Sequence, residues 1–140
     1  MSNFYARQNK PKPVAKPKQP SEDSIHLALM DWFSTVPYKD GNLIDVFHHS
    51  PNGGVSSFRQ KAKFKKMGTR NGFPDLQCFV ALGGYHGLFV EIKREKGGVV
   101  SADQKSMMAI LDSEGYKTVV TRGLDASVAA IQDYMALGEQ

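Results

Sequence analysis

The sequence predicts an α/β fold, a mixed central sheet flanked by helices. Two apolar runs, Leu76–Leu82 and Leu88–Lys93, lie on either side of Gly83-Gly84 and read as a buried hairpin. Stretches beginning at Ser21, Ser101 and Leu124 repeat apolar residues at helical spacing. Their alternation gives the order α-β-α-β-β-α-β-α, the pattern of a layered mixed sheet.

Taken in order, residues 1–20 read as a disordered basic arm. Pro11, Pro13, Pro17 and Pro20 alternate with lysines, and few apolar side chains are available to bury. Ser21 is an N-cap, and Glu22 and Asp23 suit the positive end of a helix. Ile25, Leu29 and Trp32, with Ala28 and Phe33 beside them, form its apolar face, and the helix stops before Pro37. Residues 38–45 read as a loop. Val46–His49 is a short strand that ends in the turn formers Ser50-Pro51-Asn52-Gly53-Gly54. Ser56 or Ser57 caps a second helix through about Met67, which Gly68 ends. After the hairpin, Ser101 caps a third helix with Met107, Met108, Ile110 and Leu111 on its apolar side, closed by Gly115. Tyr116–Thr121 is a β-branched strand. Leu124–Met135 is a last helix with Val128, Ile131 and Met135 inward. Residues 21–138 thus make one domain, an ordinary size for a self-sufficient core.

Composition narrows the function classes. The single cysteine, Cys78, excludes a disulfide within one chain and a cysteine-based zinc site. With an N-terminus that lacks the apolar run of a signal peptide, this points to a reducing cytoplasm. Nothing approaches a membrane-spanning length of apolar residues. No GxxxxGK loop is present, so no nucleotide cofactor is expected. The formal charge is +4, and its distribution is uneven. Arg7, Lys10, Lys12, Lys16 and Lys18 crowd the arm with no acid among them. Arg59, Lys61, Lys63, Lys65, Lys66 and Arg70 fill the stretch between Asp45 and Asp75, again with no acid. Two such clusters suggest a polyanionic partner, with the inner one positioning a duplex through its phosphates.

The chemistry lies at one end of the hairpin. Side chains alternate along a strand, so Phe89, Glu91 and Lys93 share one face, and Leu88, Val90 and Ile92 the other. A hairpin centred between Gly83 and Gly84 pairs residues whose numbers sum to about 167, which sets Asp75 opposite the Glu91–Ile92 step. Two carboxylates and a lysine at one strand end suit a hard cation. Mg2+ takes a couple of carboxylates, water and phosphate oxygens, and the backbone carbonyl of Ile92 is a further ligand within reach. Such a centre activates water and neutralises phosphate charge, while Lys93 orients the nucleophile or stabilises developing charge. The bland alternative is an ion pair on a solvated strand end.

Pro74-Asp75 followed by Glu91-Ile92-Lys93 resembles the PD-(D/E)XK nuclease signature. More specific is the whole block: Ser50-Pro51-Asn52-Gly53-Gly54, Gly68, Gly72-Phe73-Pro74-Asp75, Glu91-Ile92-Lys93, Ser101, Gln104 and Gly115-Tyr116. Over about residues 22–136 it is similar to the VRR-NUC branch of that superfamily, known for stand-alone phage and bacterial nucleases and for the nuclease module of a DNA crosslink-repair enzyme. The resemblance implies a restriction-endonuclease-like fold. It implies Asp75 and Glu91 as ligands of Mg2+ or Mn2+, Lys93 as the catalytic lysine and Gln104 as a further site residue. It also implies Glu22 as an acid that reaches the metal through water. The activity it implies is hydrolysis of DNA phosphodiester bonds, by homodimers acting on four-way junctions.

Asn52-Gly53-Gly54 offers backbone N–H groups to a phosphate and reads equally well as an ordinary turn. His48 and His49 invite a histidine metal site, but no partner His or Asn falls at a suitable spacing. Two rival functions remain: a general or single-strand-processing DNase, and a non-catalytic DNA-binding module.

Overall fold

A computed structural model of the chain describes residues 18–51 and 57–138. Most of the basic arm, and the Asn52-Gly53-Gly54 turn, lie outside the described residues.

Helix α1 spans Glu22–Thr35. The Ser21 hydroxyl accepts the Ser24 N–H at 3.1 Å, which satisfies one of the orphan donors of the first turn. Ile25, Leu29 and Phe33, spaced four apart, are its buried stripe, and Trp32 packs half-buried beside it. The stretch 38–45, expected as a loop, instead holds a tight hairpin, β1 (Pro37–Tyr38) with β2 (Gly41–Asn42), and a 3-10 turn at Leu43–Val46. Lys39 takes a positive φ of 49° to make the reversal, and the Asp45 carboxylate accepts the Asn42 N–H at 3.0 Å. Polar turn formers there signal the reversal but not the two-residue strands around it.

Strand β3 (Phe47–His49) leads to α2 (Phe58–Lys66), whose N-cap is Ser57. Strands β4 (Leu76–Cys78) and β5 (Leu88–Lys93) follow, then α3 (Ala102–Ser113), β6 (Lys117–Arg122) and α4 (Leu124–Met135). The sheet order is β3-β4-β5-β6, antiparallel up to β5, with β6 parallel to β5.

The run Leu76–Leu82 reads as one strand, yet only its first three residues are strand. Phe79 hydrogen-bonds back to Val46 and leaves its side chain 54% exposed. Leu82 is buried from within a loop, and Val80 packs against the same core. An apolar run marks burial, and a loop can bury side chains as well as a strand can. The hairpin register is Leu76↔Val90, a sum of 166 rather than 167.

β5 is buried along its whole length. On one face Leu88, Val90 and Ile92 join α1 and α4 through Leu29, Phe33, Ile131 and Tyr134. Each such aliphatic side chain contributes about 1.5–3 kcal/mol. On the other face Phe89 packs with Met107 and Leu111 of α3, and with Phe73 and Tyr116. Met107 and Leu111 face inward as expected, but Ile110, expected beside them, is 49% exposed, because the rotation of α3 that buries those two turns it toward solvent. In α4, Ile131 is fully buried and Val128 and Met135 pack against the core. Tyr134 is fully buried too, and its hydroxyl donates to the Val80 carbonyl at 2.6 Å. Among the described residues, no helix is long and apolar enough to cross a membrane.

Candidate active site

The site forms where β5 outruns β4. Continuing the observed register sets Asp75 opposite Glu91 and Pro74 opposite Ile92. Proline has no N–H and cannot extend the ladder. On the acceptor side of that rung the Asp75 side chain stands in for a backbone carbonyl: its Oδ2 accepts the Ile92 N–H at 2.7 Å. The same gap leaves the Ile92 carbonyl without a ladder donor from Pro74. Cross-strand partners share a face about 5 Å apart at Cβ, so Asp75 and Glu91 are neighbours.

Glu91 is 2% exposed. Its Oε1 receives both the Lys93 ammonium, at 2.8 Å, and the Gln104 amide, at 2.5 Å. Gln104 is itself fixed by the start of α3. Its Oε1 accepts the Ser101 N–H at 2.8 Å, while the Ser101 hydroxyl accepts the Gln104 N–H at 3.1 Å, a reciprocal capping box. One glutamine therefore both caps a helix and steers a buried carboxylate. The approach of the 69–74 loop to this helix depends on Gly72. Its φ is +76°, and a Cβ there would lie 2.3 Å from the Asp103 carbonyl carbon.

Burial pushes both acids above the ordinary carboxylate range. For Asp75 the Ile92 hydrogen bond and Lys93 work against that rise; for Glu91 the bond to Lys93 does, while the nearby Asp75 charge adds to it. Glu22, at the start of α1, raises both further, and its Oε1 accepts the Arg94 N–H at 3.4 Å. Glu22 is thus within electrostatic reach of the two acids, at the exposed rim of the site.

The Glu91 Oε2 atom is buried and has no hydrogen-bond partner among the described residues. An orphaned carboxylate oxygen beside a second desolvated acid is what a hard cation would satisfy. Among the described residues, no three of His, Cys, Asp or Glu group closely enough to hold an ion alone. A small divalent ion that keeps water and takes substrate oxygens fits such a two-carboxylate set.

Two histidines that the sequence reading does not attach to the site stand beside it. His49 Nδ1 bonds the Asp75 carbonyl at 3.0 Å, and the His26 ring meets His49 edge-on, with centroids 4.4 Å apart. Burial and the neighbouring His49 lower the His26 pKa, against the pull of Asp75 and Asp23. The signal available is spacing, since Glu22 and His26 are one helical turn apart on the same side of α1. Cys78 takes no part: burial pushes its thiol up to about 11.

Of the expected nucleic-acid contacts, Arg59, Lys61, Lys63, Lys65 and Lys66 lie on α2 and Arg70 on the loop after it, all exposed. None of them joins the acid cluster.

The VRR-NUC domain family model matches residues 19–125. A solved structure described as a VRR_NUC domain protein superposes with a TM-score of 0.79 at 38% identity, covering 87% of this chain and 93% of that one. No curated protein matches. Family match and superposition agree with the four-stranded mixed sheet, and the chain belongs to the VRR-NUC family, nucleases of restriction-endonuclease-like fold.

Proposed function

We propose that the protein is a divalent-metal-dependent endonuclease that hydrolyses DNA phosphodiester bonds, with branched DNA such as a four-way junction as its substrate. The observation that carries the metal dependence is the buried Glu91 Oε2 beside Asp75, which no hydrogen-bond donor among the described residues meets. Asp75, Glu91 and the Ile92 carbonyl would hold Mg2+ or Mn2+, with Glu22 contributing through water. A bound divalent ion supplies an acidified water and charge neutralisation at the phosphate.

The chain's own residues supply the rest. Glu91 keeps Oε2 available because Lys93 and Gln104 both occupy Oε1. Lys93, 6% exposed, sits where its ammonium can orient an attacking water or offset charge growing on the phosphoryl oxygens. Gln104 holds the carboxylate in one rotamer, and Asp75 is held by the Ile92 N–H. Low dielectric around the buried Glu91 and half-buried Asp75 strengthens these interactions once substrate covers the rim.

The basic residues of α2, Arg70, Asn52-Gly53-Gly54 and the arm of residues 1–20 would contact phosphates and position the duplex. A homodimer would set two such centres on a two-fold junction for paired nicks.

The test is cleavage of labelled junction, flap, single-stranded and linear duplex DNA with Mg2+ or Mn2+, with Lys93→Ala as control. Metal-dependent cuts favouring the junction, absent in the variant, are expected. Equal cutting of all four would remove junction selectivity, and cutting in EDTA would remove the metal dependence.

A further inference from the structure

The acid cluster leaves α2 unused. This helix buries none of its residues, yet Phe58 is 88% exposed, Met67 beside its end 70% and Phe64 42%. Between α2 and the edge strand β3 runs a groove of about 940 Å3, whose walls include Phe58, Phe64 and Phe73 together with Lys61 and Lys65. Phe58, Lys61 and Lys65 follow at i, i+3 and i+7, and Phe64 lies one turn beyond Lys61, so rings and cations alternate along one helix face. Phe73 is a firm wall, its ring set edge-on against the buried Phe89 at 5.4 Å.

Two observations select the occupant. The first is charge. Arg59, Lys61, Lys63, Lys65 and Lys66 give α2 five cations and no acid. A second copy of this helix would bring five like charges against them, whereas a polyanion is attracted. Cations track a phosphate backbone while aromatic faces accept bases, and a base offers its face only when it is unpaired or unstacked. The second is continuity. Ser50 and Phe73 line the groove, the Ser50 N–H donates to the Asp75 carbonyl at 3.0 Å, and Phe73 lies two residues before Asp75. A strand lying in the groove would lead on to the acid cluster.

We propose that the α2 groove stacks an unpaired base of the strand being cut, next to the phosphate presented to Asp75 and Glu91. This rests on the nuclease reading for the identity of the polymer. It makes the protein responsive to unpaired nucleotides, such as those exposed at a branch point, rather than to duplex sequence.

The experiment uses the full chain in EDTA, where binding is read without cleavage. Oligonucleotides carry 2-aminopurine either at an unpaired position or within a continuous duplex. The unpaired probe is expected to lose fluorescence on binding, and the paired probe is not. Phe58→Ala and Phe64→Ala should each relieve that quenching and weaken binding of the unpaired strand by roughly five- to a hundredfold, and Phe64→Trp should restore it. Unchanged quenching and affinity in both alanine variants would overturn the proposal. So would equal losses on paired and unpaired probes, or a dimer-to-monomer shift in Phe58→Ala by sedimentation with binding intact, which would assign the groove to a second copy. A wild-type protein that cuts DNA but fails this optical test refutes the groove alone. One that passes but never cuts with metal refutes the nuclease reading alone.

Discussion

The Asp75 carboxylate accepts the Ile92 N–H at 2.7 Å, in the position that the next rung of the β4–β5 ladder would occupy. A proline at that rung and an aspartate one residue later convert the end of a sheet into a place for charge. The bond fixes one carboxylate oxygen and brings a desolvated acid beside Glu91.

Desolvation has a sign that can be measured. Asp75 holds its proton more tightly in the folded chain than in the unfolded one. Between the two values the native state binds more protons, so stability falls as pH rises through that window, and the full cost is present above it. Asp75→Asn keeps an oxygen for the Ile92 N–H and removes the charge. Its metal-free Tm at neutral pH should exceed wild type by a few degrees. The gain should vanish as pH falls to the ordinary carboxylate range of about 4. Thermal unfolding in EDTA at several pH values checks this, and a Tm below wild type at neutral pH would contradict it. Cleavage should be lost in this variant.

Lys93→Ala should abolish cleavage while DNA binding persists. It should also destabilise the metal-free fold by about 3 kcal/mol, because it strands the buried Glu91 charge. Denaturant unfolding with parallel DNA-binding titrations separates the two effects. Loss of binding along with activity would give the lysine another role.

Gln104→Glu offers a sharper substitution than alanine. The capping oxygen toward Ser101 survives, but the donor to Glu91 becomes an acid. Glu91 should then rise further in pKa, and the acid limb of the pH–rate profile should move to higher pH, with activity down by roughly 10- to 100-fold. An unshifted profile would reduce Gln104 to a helix cap.

Gly72→Ala should cost about 1–3 kcal/mol, since its φ is positive and its Cβ would meet the Asp103 backbone. The loop carrying Asp75 should move off α3, and cleavage should fall with stability. A wild-type Tm would show that the loop gives way at no cost.

Removing residues 1–18 takes away Arg7, Lys10, Lys12, Lys16 and Lys18 but leaves Gln19, whose side chain bonds the backbone of Lys96 at both ends. For every phosphate that the arm no longer neutralises, the logarithmic salt dependence of binding should flatten by about 0.9. An identical salt slope would exclude the arm from the interface.

Much of this is legible in the sequence, where local chemistry and burial agree. Ser21 and Ser101 cap helices as their positions suggest, Ser57 is the one of the two candidate serines that caps α2, and the apolar Leu88–Lys93 run is the fully buried strand. Counting across Gly83-Gly84 brings Asp75 to the Glu91–Ile92 step, within one residue of the register observed between β4 and β5. Three features are not legible. Phe79 and Ile110 look like core residues but face outward, because hydrophobicity does not state which loop or helix rotation packs best. The short β1–β2 hairpin hides in a polar stretch with no apolar alternation. His26 and His49 are 23 positions apart in the chain, and only the docking of α1 against the β3 end brings their rings together.

The most direct test of the central claim is calorimetric titration of Mn2+ into wild type, Asp75→Asn and Glu91→Gln, each bound to a DNA it cannot cut. Saturable binding to the wild type that weakens at least tenfold in both variants is the predicted result. Equal affinity in all three proteins would mean that these acids do not share an ion.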